Sequence, residues 1–128
     1  INCIRTFRFL RQWQSRYADE GLVIVGIHAP EFEFEKIYDN VVEATQTNNL
    51  TWTIAQDNDF VTWRKYSNGF WPAKYLIDKD GFIRYTHFGE GGYAETESLI
   101  RELLAESNPI FLKTSLLPRR TKHWTMTF

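Results

Sequence analysis

Cysteine is nearly absent from this chain, because Cys3 is the single thiol in 128 residues. One cysteine cannot form an internal disulfide, so a small disulfide-bonded scaffold is excluded. An excess of charge of one sign is also lacking, since 15 basic residues face 16 acidic ones and the net charge is −1. This balance creates no field that attracts nucleic acid or an anionic membrane surface, and neither is expected as a partner.

Long hydrophobic runs and metal-ligand patterns are missing as well. No apolar segment approaches the roughly 18–20 residues of a membrane span, and no signal peptide is visible. His28, His87 and His123 do not have ligand spacing with one another or with Cys3. The segment Gly89-Glu90-Gly91-Gly92 precedes a helix but lacks the lysine of a phosphate-binding loop. Neither a metal nor a cofactor is expected.

The composition supports one packed core, with 43% apolar and 16% aromatic residues. Apolar periodicity predicts an amphipathic helix over residues 4–18, and a β-branched run predicts a buried strand over residues 22–28. The other predicted elements are a helix at 33–48, a strand at 52–55, a short helix capped by Asp57-Asn58-Asp59, strands at 74–77 and 82–88, and a helix at about 94–106. This order predicts an α/β layered domain with a mixed sheet.

Two local features lead to specific expectations. The segment Asp78-Lys79-Asp80-Gly81 predicts a hairpin turn in which Gly81 has a positive φ. The helix predicted at 33–48 is expected to bury one apolar face. The residues of that face are Phe34, Ile37, Val41, Val42 and Ala44.

Cys3 lies at the start of the first predicted helix. Backbone N–H groups and the helix dipole stabilise an anion at such a position, which favours the thiolate. In a C-x-x-C motif, Ile1-Asn2-Cys3 would be the last three residues, and the first cysteine would directly precede Ile1. The spacing alone does not distinguish a catalytic cysteine from an incidental one.

An ordered set of segments resembles the thioredoxin-like TlpA- and ResA-type thiol-disulfide oxidoreductases, and resembles most closely the soluble C-terminal domain of DipZ-type proteins. The segments are Cys3-Ile4-Arg5-Thr6, Pro30-Glu31-Phe32, Asp57-Asn58-Asp59 with Trp63-Arg64, the stretch 71–85, and the stretch 86–93. The resemblance implies a thioredoxin-like fold, with a mixed central sheet flanked by helices, over residues 1–106. Residues 107–128 match nothing in the family and are expected to form a tail of unknown role.

The resemblance also implies roles for individual residues. Cys3 matches the second, resolving cysteine, and Pro72 matches a cis-proline across from the sulfurs, where the backbone before it pairs with an extended substrate. Glu31 matches a carboxylate near the disulfide that accepts or returns a thiol proton; an ordinary exposed loop acid is the competing interpretation. Trp71 is expected either to fill the core or to shield the sulfur site and contact substrate.

The sequence departs from the family in two linked ways, because both the first cysteine and the apolar strand before it are missing. In this fold that strand is central, between the strands predicted at 22–28 and 74–78. We expect the gap to be filled, since unpaired buried backbone groups are costly. Residues upstream of Ile1 in a longer protein are the first expected source and a strand from another chain the second. The tail is the last, with residues 110–117 as its candidate segment.

The expected function of the parent protein is thiol-disulfide exchange outside the cytoplasm, through a mixed disulfide that Cys3 resolves. Protein thiols or disulfides are the expected partners, and a membrane electron donor is a further one. With one cysteine, the chain as given is not expected to cycle a dithiol. The alternative is a redox-inactive thioredoxin-like module that binds a protein or peptide on the surface formed by Trp71 and Pro72. The residue that precedes Ile1 distinguishes the two hypotheses.

Overall fold

The computed structural model describes residues 2–108 and 123–128, and the predicted order of elements is observed over residues 2–107. The helices are α1 (Asn2–Tyr17), α2 (Tyr38–Thr47), α3 (Val61–Lys65) and α4 (Tyr93–Ser107), with a 3-10 turn at Glu33–Lys36. The strands are β1 (Leu22–His28), β2 (Thr53–Gln56), β3 (Ala73–Ile77), β4 (Ile83–Phe88) and β5 (His123–Thr127). No helix in these ranges is long and apolar enough to cross a membrane.

The five strands form one mixed sheet in the order β2-β1-β5-β3-β4. Strand β5 pairs in parallel with β1, with Thr125 opposite Ile24, and antiparallel with β3, with Thr125 opposite Leu76. The hairpin between β3 and β4 has the expected turn, in which Gly81 has a φ of 89°. The domain is therefore an α/β domain with a mixed central sheet.

Strand β5 fills the central position that was expected to lack a strand. The gap is closed as predicted, but the ranking of its sources was wrong, because the tail had been placed last. The strand comes from residues 123–127, whereas the candidate segment 110–117 lies outside the described residues. The description of residues 107–128 as a tail is corrected accordingly, since residues 123–127 belong to the sheet.

The sheet separates two apolar clusters, because successive residues of a strand point to opposite faces. On one face, α1 and α4 contribute Trp13 and Ile100 to a cluster that includes Ile24 and Leu76. The other cluster consists of Ile27, Ala73, Tyr75 and Phe128, with Trp63 and Tyr66 packed against it. The alternation of Leu76 and Tyr75 between the clusters shows that β3 contributes to both layers.

The helix predicted at 33–48 is interrupted, and its expected inner face is not buried. The backbone leaves the helical region at Ile37, where φ is −76° and ψ is 120°, so the 3-10 turn and α2 are separate elements. Phe34 and Ile37 are 60% and 53% exposed, and no residue of α2 is buried. This prediction was wrong because the apolar residues lie on both sides of the break and share no continuous helical face. An open groove remains beside α2.

Candidate functional site

A groove of about 720 Å³ lies between α1, β1 and α2, and Cys3 is in its wall. The sequence-predicted site residues Cys3, Glu31, Trp71 and Pro72 all line this groove. They come from the start of α1, the loop after β1 and the loop before β3. The structure thus brings together four residues that are up to 69 positions apart in the sequence, and their individual roles stay predictions.

The loop before β3 is fixed by contacts on both sides of its proline. The Trp71–Pro72 peptide bond is cis, and the carbonyl of Pro72 accepts a hydrogen bond from the Gly89 N–H at 2.7 Å. The indole Nε1 of Trp71 donates to the carbonyl of Ala29 at 3.0 Å, and its ring centroid lies 4.3 Å from that of Trp63. Trp71 therefore both packs on the interior and faces the groove, so the two expectations for this residue are not exclusive.

Cys3 is half-buried, and its surroundings disfavour the thiolate. Burial raises the pKa of the Cys3 thiol to about 11, and the negative charges of Glu35, Glu31 and Glu90 act in the same direction. The start of α1 was expected to favour the thiolate. That expectation was wrong because removal of the thiol from water, together with three carboxylates, raises the pKa of Cys3 above its usual value.

Glu31 is exposed, as the competing interpretation of a loop acid expects. Its own N–H donates to the carboxylate of Glu35 at 2.7 Å, which also accepts from the N–H of Phe32 at 3.3 Å. Glu31 still lines the groove and contributes to the raised pKa of Cys3. Its position near the thiol agrees with the resemblance, whereas its exposure does not agree with a partly buried proton carrier.

The groove is also lined by Phe128 and Lys74, which were not predicted from the sequence as site residues. Phe128 directly follows β5, is buried, and exchanges backbone hydrogen bonds with Ala73 at 2.9 and 3.3 Å. Lys74 is only 1% exposed; its Nζ lies 4.9 Å from the ring centroid of Tyr93 and 3.5 Å from the carbonyl oxygen of Gly91. Lysine is almost never fully buried, so no sequence rule would have placed it there.

Within residues 2–108 and 123–128, no group of three His, Cys, Asp or Glu side chains could hold a metal ion.

We expect Cys3 to react slowly with iodoacetamide at neutral pH, because the thiolate is the reactive form and the pKa of the thiol is raised to about 11. At about pH 7 the folded protein should react at least about tenfold more slowly than the same protein in urea, even though a more basic thiolate is intrinsically more nucleophilic. Mass spectrometry of the alkylated fraction between about pH 6 and pH 10 measures both rates. A plateau of the folded-state rate below about pH 9 would contradict the predicted environment.

Comparison with known proteins agrees with the fold, although no family model matches the chain. Protein DipZ of Mycobacterium tuberculosis is 43% identical over 109 residues, which are 85% of this chain and 16% of DipZ. The thiol-disulfide oxidoreductase YkuV of Bacillus subtilis is 26% identical over 105 residues, which are 82% of this chain and 70% of YkuV. The solution structure of a thioredoxin-like protein in the oxidised form superposes with a TM-score of 0.70 and 26% identity, covering 83% of this chain and 73% of that one.

The fold and these relationships define the chain as a thioredoxin-like domain that is related to thiol-disulfide oxidoreductases. Within that group it is related to DipZ, and it spans about one sixth of the length of that protein.

Proposed function

We propose that this domain exchanges disulfides with protein substrates through Cys3, outside the cytoplasm, as part of a longer protein. The observation that carries the proposal is the groove in which Cys3, Trp71 and Pro72 meet on a thioredoxin-like fold. The Trp71 backbone makes no hydrogen bond to any described residue, so its N–H and C=O remain available to an extended chain beside the thiol. A membrane electron donor is the proposed source or acceptor of electrons.

The chemistry available to a single thiol is one exchange step. The Cys3 thiolate attacks one sulfur of a substrate disulfide, the S–S bond breaks, and the leaving thiolate takes up a proton. The product is a mixed disulfide between Cys3 and the substrate. It persists until a second thiol attacks it, so the chain with one cysteine reacts stoichiometrically and does not cycle.

A redox-inactive binding module is the second candidate. The observation that favours it is the pKa of Cys3, which burial raises to about 11 and which leaves little thiolate near neutral pH. In that case the groove and the Trp71 loop would bind an extended peptide without covalent chemistry.

A gain-of-function variant tests the proposal. Phe128 directly follows the central strand and lines the groove with Cys3, and the resemblance implies that this strand precedes the first cysteine of the motif. Phe128→Cys is therefore expected to form a disulfide with Cys3 and to give multiple turnovers in a dithiothreitol-dependent insulin reduction assay. The wild-type chain and Phe128→Ala, each with one thiol, should form mixed disulfides but give no turnover.

Thiol counting and mass spectrometry after mild oxidation measure the Phe128→Cys disulfide directly. Two free thiols in oxidised Phe128→Cys, or sustained turnover by the wild-type chain, would argue against the proposed place of Cys3 in the motif. Failure of Cys3 to form a mixed disulfide with any small disulfide would leave only the binding function.

A further inference from the structure

The groove beside Cys3 is bordered by apolar side chains that the fold leaves exposed. Ile4 and Phe32 are each 54% exposed and Phe34 is 60% exposed, and all three line the groove. The rings of Phe32 and Phe34 are stacked with centroids 5.8 Å apart, so they form one continuous apolar surface. A contiguous exposed apolar surface beside a concave site is typical of a binding surface.

The side of the groove formed by α2 is also open. Val41 and Ala44 of α2 line the groove, yet no residue of α2 is buried. The groove has a volume of about 720 Å³, and its lining continues along α1 through Leu10 and Phe7 to Cys3. It is therefore an apolar channel with room for side chains of an incoming segment.

The rim of the groove near Cys3 is acidic. Glu31 and Glu35 line it, and no lysine or arginine of the described residues forms a salt bridge with either carboxylate. Glu33 and Glu90 are each paired with a cation, Lys36 and Arg5 respectively. Because no cation in the described part of the chain is paired with them, the carboxylates of Glu31 and Glu35 repel an anionic ligand such as a fatty acid and attract a cationic one.

We propose that this groove selects extended polypeptide segments in which a cysteine is flanked by apolar and basic residues. Apolar side chains of the segment pack on Phe32 and Phe34, and its lysine or arginine residues face Glu31 and Glu35. The inference rests on the proposed function, because it names the class of substrate that is delivered to Cys3. An extended chain fits the channel because its cysteine reaches Cys3 while its neighbours occupy the apolar surface and the acidic rim.

The experiment uses three short peptides whose central cysteine carries a 2-thiopyridyl disulfide. One is flanked by leucine and lysine, the second has glutamate in place of lysine, and the third has serine in place of leucine. Attack by the Cys3 thiolate on the peptide sulfur breaks the peptide–pyridyl S–S bond, forms the mixed disulfide and releases pyridine-2-thione with the proton. The absorbance of the released thione gives the second-order rate constant.

We expect the leucine–lysine peptide to react at least about fivefold faster than its glutamate counterpart, with a ratio that falls toward one in about 1 M NaCl. It should also react at least about threefold faster than the serine peptide. Phe34→Ser should reduce the advantage of leucine, and Phe82→Ser, which changes an exposed phenylalanine outside the groove, should not. Glu31→Gln should reduce the preference for lysine, whereas Asp80→Asn in the distant hairpin turn should not.

The neutral reagent 2,2′-dithiodipyridine separates failure of the inference from failure of the proposed function. If Cys3 reacts with this reagent but the three peptides react at equal rates, the inference is overturned and thiol exchange stands. If Cys3 reacts with none of the four disulfides, the proposed function itself is wrong. Equal peptide rates together with a dimer that Phe34→Ser dissociates would overturn the inference in favour of a second copy in the groove.

Discussion

Replacement of Thr125 by proline is expected to abolish folding of the domain. Thr125 is 1% exposed and lies at the middle of β5, opposite Ile24 of β1 and Leu76 of β3. Proline cannot donate a hydrogen bond and is incompatible with the interior of a central strand. Loss of the Thr125 N–H donor, together with the conflict between the proline ring and a neighbouring strand, should cost several kcal/mol, a large part of the roughly 5–15 kcal/mol that stabilises a typical domain.

Thr125→Val is the matched control for this substitution. The Oγ1 atom of Thr125 is buried and has no hydrogen-bond partner among the described residues. Valine keeps the shape and removes the unpaired hydroxyl, so we expect Thr125→Val to raise the free energy of unfolding by about 1 kcal/mol. Circular dichroism and urea denaturation measure both variants. A folded Thr125→Pro variant with a wild-type spectrum would show that β5 is not the central strand.

Lys74→Met is expected to stabilise the protein at neutral pH by about 1–3 kcal/mol. Lys74 is almost completely buried, and no described carboxylate forms a salt bridge with its ammonium group. Burial lowers the pKa of Lys74 to about 8. A charged lysine therefore opposes folding at pH 7, and methionine fills a similar volume without a charge.

The pH dependence of stability provides the specific signature of this lysine. Because the pKa of Lys74 is lower in the folded protein, the unfolded chain binds more protons between about pH 8 and pH 10.5. The penalty is complete below pH 8 and disappears as the pH rises through this window, so wild-type stability should increase there. Lys74→Met should lack that increase, and the control Lys79→Met, at an exposed position, should retain it.

Urea denaturation at about pH 7 and about pH 10 measures the effect for all three proteins. A Lys74→Met variant that is less stable than the wild type at pH 7 would contradict the prediction. The same conclusion would follow from a wild-type protein and a Lys74→Met variant with parallel pH profiles.

The sequence predicted most of the elements because their signals are local. The apolar run at 22–28 coincides with β1, and the turn at Asp78-Lys79-Asp80-Gly81 places a glycine where φ is positive. The cluster of site residues was also predicted, since the matched segments bring Cys3 and Pro72 into one groove. These inferences needed only periodicity, turn chemistry and an ordered set of motifs.

The break at Ile37 and the environment of Cys3 could not be predicted in the same way. Helical periodicity continues across residues 33–48 although the backbone is extended at Ile37. The position of Cys3 at a helix start indicated a thiolate, whereas burial and the carboxylates of Glu35 and Glu31 raise the pKa of its thiol. The environment of Cys3 depends on neighbours that are distant in the sequence.

The sequence by itself determined an α/β domain of the thioredoxin-like type, and it predicted four of the residues that line the groove, Cys3, Glu31, Trp71 and Pro72. Only the tertiary structure decided what occupies the centre of the sheet. Residues 123–127 contain two threonines and no long apolar run, so no local signal marks them as a central strand. They become one because β1 and β3 each present an unpaired edge. The backbone groups of these edges are paired only when a strand about 100 residues from β1 in the chain inserts between them.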